Sequence, residues 1–285
     1  MERHTGEAMA SRERLDGKVV LVTGAANGVG AATARALVDA GASVALLDID
    51  ADALRQVAAA LEGRAYAQVV DITDANAVSA AVASAVERFG DFDAVIANAG
   101  IEILGWADEM PPEDFRRVVE VNLIGTWNTL RASVESVERR RGYILIVTSL
   151  SAVSSGPMNA AYNAAKAGVV AMARTMRLDL RHAGVEIGLA YLTYTDTPTA
   201  RRAVADPRMQ SILRGVRGAS LRPIPVDVVA QRYVRAVAQR DRRVLFDRSS
   251  RLAVAMPELT QAILERLMAK QVVKVRRSEG DRRDS

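Results

Sequence analysis

The chain has no cysteine and only two histidines, His4 and His182, in 285 residues. Without thiols there is no disulfide, no thiolate nucleophile and no cysteine-bound zinc, and two histidines are too few to build a metal centre, so no metal site is expected. Aromatic residues make up 4%. Nothing resembles an aromatic RNA-reading motif or a zinc finger, so nucleic acid is not an expected partner. Long apolar runs are also missing. No stretch approaches the roughly 18 consecutive apolar residues of a membrane span. The opening MERHTGEAMASRERL carries charges where a signal peptide has its apolar core. A cytoplasmic location is the expectation, and chemistry has to come from hydroxyls, amines, carboxylates or a cofactor.

What is present is globular: 49% apolar and 25% charged residues exclude disorder as the main state. Net charge is +4, unevenly spread: residues 1–200 hold 18 Lys/Arg against 25 Asp/Glu, and residues 201–285 hold 20 against 9. The basic character therefore belongs to the C-terminal part.

From residue 18 onward, short β-branched runs alternate with longer Ala-rich helical ones, the pattern of a parallel sheet covered on both faces. Strands are expected at 18–23, 43–48, 64–70, 93–98, 142–149, 185–192 and 243–246, and helices near 28–40, 51–61, 74–89, 112–139, 160–182 and 226–238. No composition break divides the series, so residues 15–249 form one α/β domain, a doubly wound Rossmann fold on a seven-stranded parallel sheet. Residues 1–14 read as a mobile arm, 250–277 as an added amphipathic helical element and 278–285 as a solvated polar tail.

The first strand runs into Thr23-Gly24-Ala25-Ala26-Asn27-Gly28-Val29-Gly30 and then a helix. Glycines at such a turn let the backbone bend and approach a pyrophosphate, whose charge sits over the free N–H groups of the helix N-terminus. The second strand ends at Asp48, 18 residues after Gly30, where a carboxylate can accept from both ribose hydroxyls. It would also face a 2′-phosphate, and like charges about 4 Å apart cost on the order of 4 kcal/mol at an effective dielectric near 20. Neither Asn27 nor Ile49 supplies a compensating cation, so NAD is expected over NADP. Asp71 and Ile72 after the third strand, and Asn98-Ala99-Gly100 after the fourth, open toward the same sheet edge; Asp71 serves equally well as an adenine acceptor or a helix-start residue.

Tyr162 and Lys166 follow a strongly apolar strand and stand four apart, on one face of a helix. A phenol of pKa about 10 is a poor base near neutrality; lowering it by about 3 units takes roughly 4 kcal/mol, which one ammonium at about 4 Å can supply. Together with Ser149, which lies 13 residues before the tyrosine, and Asn122 in Val-Asn-Leu-Ile-Gly, these motifs resemble the short-chain dehydrogenase/reductase family over about residues 16–246. The resemblance implies an NAD(P)-dependent oxidoreductase, a homodimer or homotetramer, with Asn122, Ser149, Tyr162 and Lys166 as catalytic residues. Tyr162 would be the general acid/base. Lys166 would lower its pKa and bond the nicotinamide ribose, Ser149 would hold the substrate oxygen, and Asn122 would anchor a water in a proton relay. Thr197 matches the threonine that meets the nicotinamide carboxamide.

The chain departs from the family where substrate is recognised. After the sixth strand it reads Tyr191-Leu192-Thr193-Tyr194-Thr195-Asp196-Thr197-Pro198 in place of the family's Pro-Gly. A pocket wall of Trp106, Leu150, Met158, Tyr191, Tyr194 and the loop 198–216 is expected. It suits a bulky apolar secondary alcohol or its ketone, with oxidation as the favoured direction. A carrier-linked ketoacyl-thioester reductase is the alternative, with Arg201, Arg202, Arg208, Arg214 and Arg217 receiving the carrier; a catalytically silent nucleotide-binding module is a third. Leu259, Ile263 and Leu267 recur at helical spacing near a basic end. That element is expected to pack on its own domain or a second subunit, with peripheral membrane contact through 257–277 as the other reading.

Overall fold

The computed structural model describes residues 15–215 and 222–283. The expected arm at 1–14 and Arg217 lie outside them. Seven parallel strands stand in the order β3-β2-β1-β4-β5-β6-β7: β1 Val19–Thr23, β2 Ser43–Asp48, β3 Ala65–Val69, β4 Ala94–Ala97, β5 Tyr143–Ser149, β6 Glu186–Leu192 and β7 Arg243–Val244. Alternation with period two serves both faces. Val20, Val22, Val44 and Leu46 pack into one core with helices α1 (Gly28–Asp39), α2 (Ala51–Ala59) and α9 (Val226–Gln239). Val19, Leu21, Ala45 and Leu47 pack into the other with α3 (Ala75–Phe89), α5 (Thr126–Arg139) and α6 (Ala160–Asp179). Because β1 is followed by β2 on one side and flanked by β4 on the other, the chain reverses direction across the sheet beside β1. In such sheets the crevice that takes ligands opens there, beyond the carboxyl ends of the strands.

Four sequence expectations change. The single helix 112–139 is α4 (Pro112–Val119), a π-helical turn (Glu120–Gly125) and α5. The wide turn centres on Asn122, whose Nδ2 donates to Val118 O at 2.9 Å and to Ile101 O at 2.8 Å, pulling the side chain inward. Of the expected wall at 198–216, the described residues are mainly helical, with α7 (Pro198–Ala205) and α8 (Pro207–Gly215) each opened by a proline at a first helical position. The added element is two helices, α10 (Arg248–Ala255) and α11 (Pro257–Arg283), broken before Pro257. Of the expected solvated tail 278–285, residues 278–283 are instead the end of α11, and 284–285 lie outside the described residues: Glu279 accepts from Trp106 Nε1 at 2.9 Å, which ties this turn to the body of the protein.

α11 packs on its own chain. Val275, Val272 and Met268 close over Trp106, Met158 and Ile212, while Arg276 lies 5.1 Å from the Trp106 ring centre and pairs with Glu109 at 2.6 Å and with Asp108. Leu259, Ile263 and Leu267 face outward. No helix among the described residues is long and apolar enough to cross a membrane. Val275→Asp would bury an unpaired carboxylate in this cluster, an effect of about 3 kcal/mol against helix docking. The expected result is a thermal midpoint lower by several degrees, because α8 loses its backing. Calorimetry checks it, and an unchanged midpoint would mean that α11 does not brace the body.

Candidate active site

A cavity of about 910 Å³ runs along the carboxyl edge of the sheet from the glycine turn to α8. At one end Gly24 adopts φ +66° and Gly28 φ +52°, backbone that side chains rarely take. A Cβ on Gly30 would stand 1.9 Å from Gly24 O, so the first turn of α1 can lie against the turn only without a side chain there. Thr23 is buried and faces away from the cavity. Its hydroxyl accepts from Asn98 N at 3.1 Å and Ala99 N at 3.2 Å, and Asn98 Nδ2 donates to Thr23 O at 3.0 Å. These bonds lock the ends of β1 and β4 together.

Asp48 Oδ2 accepts from Ala26 N at 2.9 Å and Oδ1 from Asp50 N at 3.0 Å, so the carboxylate is aimed across the glycine turn. Asp50, not Asp48, caps α2, accepting from Ala53 N at 3.1 Å. No side chain caps the N-terminus of α1 at Asn27, leaving its first N–H groups for a ligand. Gly24, Asn27, Gly28, Val29, Asp48, Asn98, Ala99 and Gly100 all line the cavity, and Thr197 stands against Gly28. An adjoining hollow of about 540 Å³ is lined by Asp48, Ile49, Asp71 and Ile72, with Arg117 and Glu120 at its side. Arg117 is a cation that the sequence argument did not bring to this place. Asp71 Oδ1 accepts from Thr73 N and Oγ1 at 2.9 and 2.8 Å, which makes it a turn residue as well as a wall of the hollow. The extended hollow, the glycine contact no Cβ could share and the uncapped helix end fit a dinucleotide.

At the other end Ser149, Tyr162 and Lys166 meet. Ser149 closes β5, with its hydroxyl donating to Leu192 O at 3.3 Å and accepting from Ser151 N at 3.2 Å. Lys166 is 3% exposed and its Nζ donates to Val147 O at 3.1 Å. Burial lowers its pKa to about 8, against the opposing pull of Glu102. Lys166 Nζ lies 5.6 Å from the Tyr162 ring centre. The surroundings do not produce the expected lowering of the phenol: burial first and the Glu102 charge second push Tyr162 above its ordinary value, opposed by a hydrogen bond with Ser149. The lysine is itself dehydrated and does not reverse that. Asn122 is fully buried and its side chain is spent on backbone, with Oδ1 accepting from Ile101 N at 3.2 Å.

Of the expected pocket wall, Ser149, Leu150 and Tyr194 line the cavity. Trp106 and Met158 do not; both are turned into the cluster under α11. Tyr191, 2% exposed, belongs to the core beneath the sheet, because along β6 it alternates away from the face of Leu192, which does line the cavity. Their places are taken by Leu104, Ala203, Val204, Met209, Leu213 and Ile224, and by the polar Glu102, Arg202 and Arg222. The periods of α7 and α8 carried a signal for some of these. For Glu102 there was none. Among the arginines considered for a carrier, Arg201 is paired with Asp196 at 2.6 Å and Arg208 with Asp206 at 2.7 Å, leaving Arg202 at the cavity.

Residues 18–208 match the family model described as short chain dehydrogenase. The chain belongs to that family: it is an NAD(P)-dependent oxidoreductase of the alcohol/ketone type. Particular relatives fall on both sides of the substrate question. It is 36% identical to an L-fucose dehydrogenase of Oryctolagus cuniculus over 180 residues, 63% of each chain. It is 31% identical to a 3-oxoacyl-acyl-carrier-protein reductase of Thermotoga maritima over 205 residues, 70% of this chain and 83% of that one. The crystal structure of gox2181 superposes with a TM-score of 0.75 at 28% identity, covering 83% of this chain and 96% of that one.

Proposed function

We propose that the chain is an NAD-dependent dehydrogenase of a secondary alcohol with a bulky, mainly apolar body, working reversibly against the ketone. The observation that carries this reading is the convergence of Ser149, Tyr162 and Lys166 on the same cavity that receives the glycine turn and Asp48. The glycine turn and the N-terminus of α1 would hold the pyrophosphate, Asp48 the adenosine ribose, Lys166 the nicotinamide ribose and Thr197 the carboxamide side. When bound, the nicotinamide supplies hydride acceptance and donation. The chain's own residues do the rest. Ser149 orients the substrate oxygen, and Tyr162 takes the hydroxyl proton in oxidation and returns it in reduction. Leu104, Leu150, Met209 and Leu213 exclude water from the apolar body. A homodimer or homotetramer accompanies this reading, as the family resemblance implies.

The test is to compare NADH formation with a panel of hydrophobic secondary alcohols against NADPH oxidation with ketoacyl thioesters. Turnover of thioesters alone would favour the carrier-linked alternative, which the internal pairing of Arg201 and Arg208 weakens. Turnover of neither would leave the silent binding module. Asp48→Ala is expected to shift the kcat/KM ratio for NAD over NADP by at least tenfold toward NADP. The substitution removes a ribose acceptor and relieves a repulsion on the order of 4 kcal/mol. A wild type that already prefers NADP would show that Arg117, not Asp48, dominates this hollow.

A further inference from the structure

Glu102 lines the same cavity as Ser149, Tyr162 and Lys166, and neither the fold nor the proton transfer uses all of it. Its backbone is pinned. Ile101, next to it, exchanges two hydrogen bonds with Asn122, and Gly105 N donates to Met158 O at 2.9 Å. Its side chain crosses to the start of α6, where Oε1 accepts from Asn159 Nδ2, three residues before Tyr162. Holding Asn159 takes one acceptor oxygen. Oε2 has no hydrogen-bond donor among the described residues, in a cavity whose lining includes Leu104 and Leu150 together with Arg202 and Arg222. An ionised carboxylate offers acceptors only, so what completes it is a donor. Glu102 is half-buried, so Oε2 stays open to whatever enters the cavity, and burial pushes its carboxyl above the usual range.

We propose that Glu102 is a substrate-recognition residue: Oε2 accepts a hydrogen bond from a second hydroxyl next to the reacting carbinol, so the preferred substrate is a vicinal diol on an otherwise apolar body. This rests on the alcohol-dehydrogenase reading and narrows its substrate class. The second hydroxyl does not react. The donor is a hydroxyl rather than an ammonium because Lys166 already places a buried cation within electrostatic reach of Glu102, and a second cation would meet its repulsion.

Glu102→Gln tests this, since glutamine keeps the volume and the oxygen that Asn159 needs while turning the free oxygen into an N–H donor. The probes are cyclohexanol, cis- and trans-1,2-cyclohexanediol and trans-2-aminocyclohexanol. Wild-type NADH formation from cyclohexanol tests the dehydrogenase reading separately. The ratio of diol to cyclohexanol tests Glu102, in kcat/KM and, independently of turnover, in Kd by calorimetry on NAD-saturated protein. The expected wild-type preference for one diol is about 10–100-fold, the range of a hydrogen bond to a charged acceptor. It should collapse to within about threefold in Glu102→Gln. Removing the Glu102 charge also moves the pH profile of oxidation to lower pH for both alcohols alike, and this cancels in the ratio. A preference that survives in the variant, a wild type that binds diol and cyclohexanol equally, or a wild-type preference for the amino alcohol would each overturn the proposal.

Discussion

Tyr162→Phe is expected to lower kcat in both directions by about 10²–10⁴-fold, the range that a positioned proton donor contributes, while cofactor Kd stays within about threefold of wild type. Only the phenolic oxygen is removed; the ring stays packed and Lys166 keeps its bond to Val147 O. The pH dependence adds a sign that loss of activity alone does not give. Burial and the Glu102 charge raise the phenol's pKa, so Tyr162 is protonated across the neutral range, ready as an acid for ketone reduction. Alcohol oxidation requires the deprotonated form. Oxidation by the wild type should therefore rise as pH climbs into the alkaline range while reduction falls, and the residual activity of Tyr162→Phe should lose both slopes. Rapid-mixing absorbance of NADH across pH, with fluorescence titration for Kd, measures all of this. A variant within tenfold of wild type would remove Tyr162 from the chemistry.

Gly30→Ala is expected to abolish dinucleotide binding. Its Cβ would sit 1.9 Å from Gly24 O, 2.7 Å from Gly24 C and 2.9 Å from Asn98 Nδ2. Two of these neighbours are backbone, and the third is the amide that ties β4 to β1. Relief needs the turn and α1 to separate, which opens the pyrophosphate cradle. Backbone displacement of this kind costs about 3 kcal/mol or more, at least about 100-fold in NADH affinity, with a lower melting temperature. Gly28→Ala is the graded comparison: the nearest neighbour of its Cβ is Thr197 Cγ2 at 3.3 Å, a side chain that can give, although φ +52° adds strain. Gly63→Ala meets nothing within 4 Å; its φ of +76° adds strain that lowers stability, but NADH affinity should stay unchanged. Equal behaviour of the three would mean that the close packing of α1 on the turn is not what makes the site.

The parts of this protein that could be read from its sequence are those that local chemistry determines. Period-two apolar runs, a glycine turn between strand and helix, and a tyrosine and lysine four apart are each decided within a few residues. Right-handed crossovers then lay the helices on the sheet's faces, and a parallel sheet brings every strand's carboxyl end to one edge. That is why Asp48, Asn98 and Ser149 stand together although they are far apart in the chain. What local pattern leaves open is which way a side chain turns once elements pack. Trp106 and Met158 were expected to face the cavity and instead seat α11; their partners Ile212 and Val275 come from sequence-distant helices that no local period links to them. The polar end of the chain reads as solvated by composition, yet one bond from Trp106 to Glu279 holds it against the body. The raised pKa of Tyr162 and the half-used Glu102 come from burial and from charges that only three-dimensional proximity brings together. Sequence by itself determined the scaffold and the reacting groups; the tertiary structure decided the shape and electrostatics of the pocket, because these depend on contacts between residues far apart in the chain.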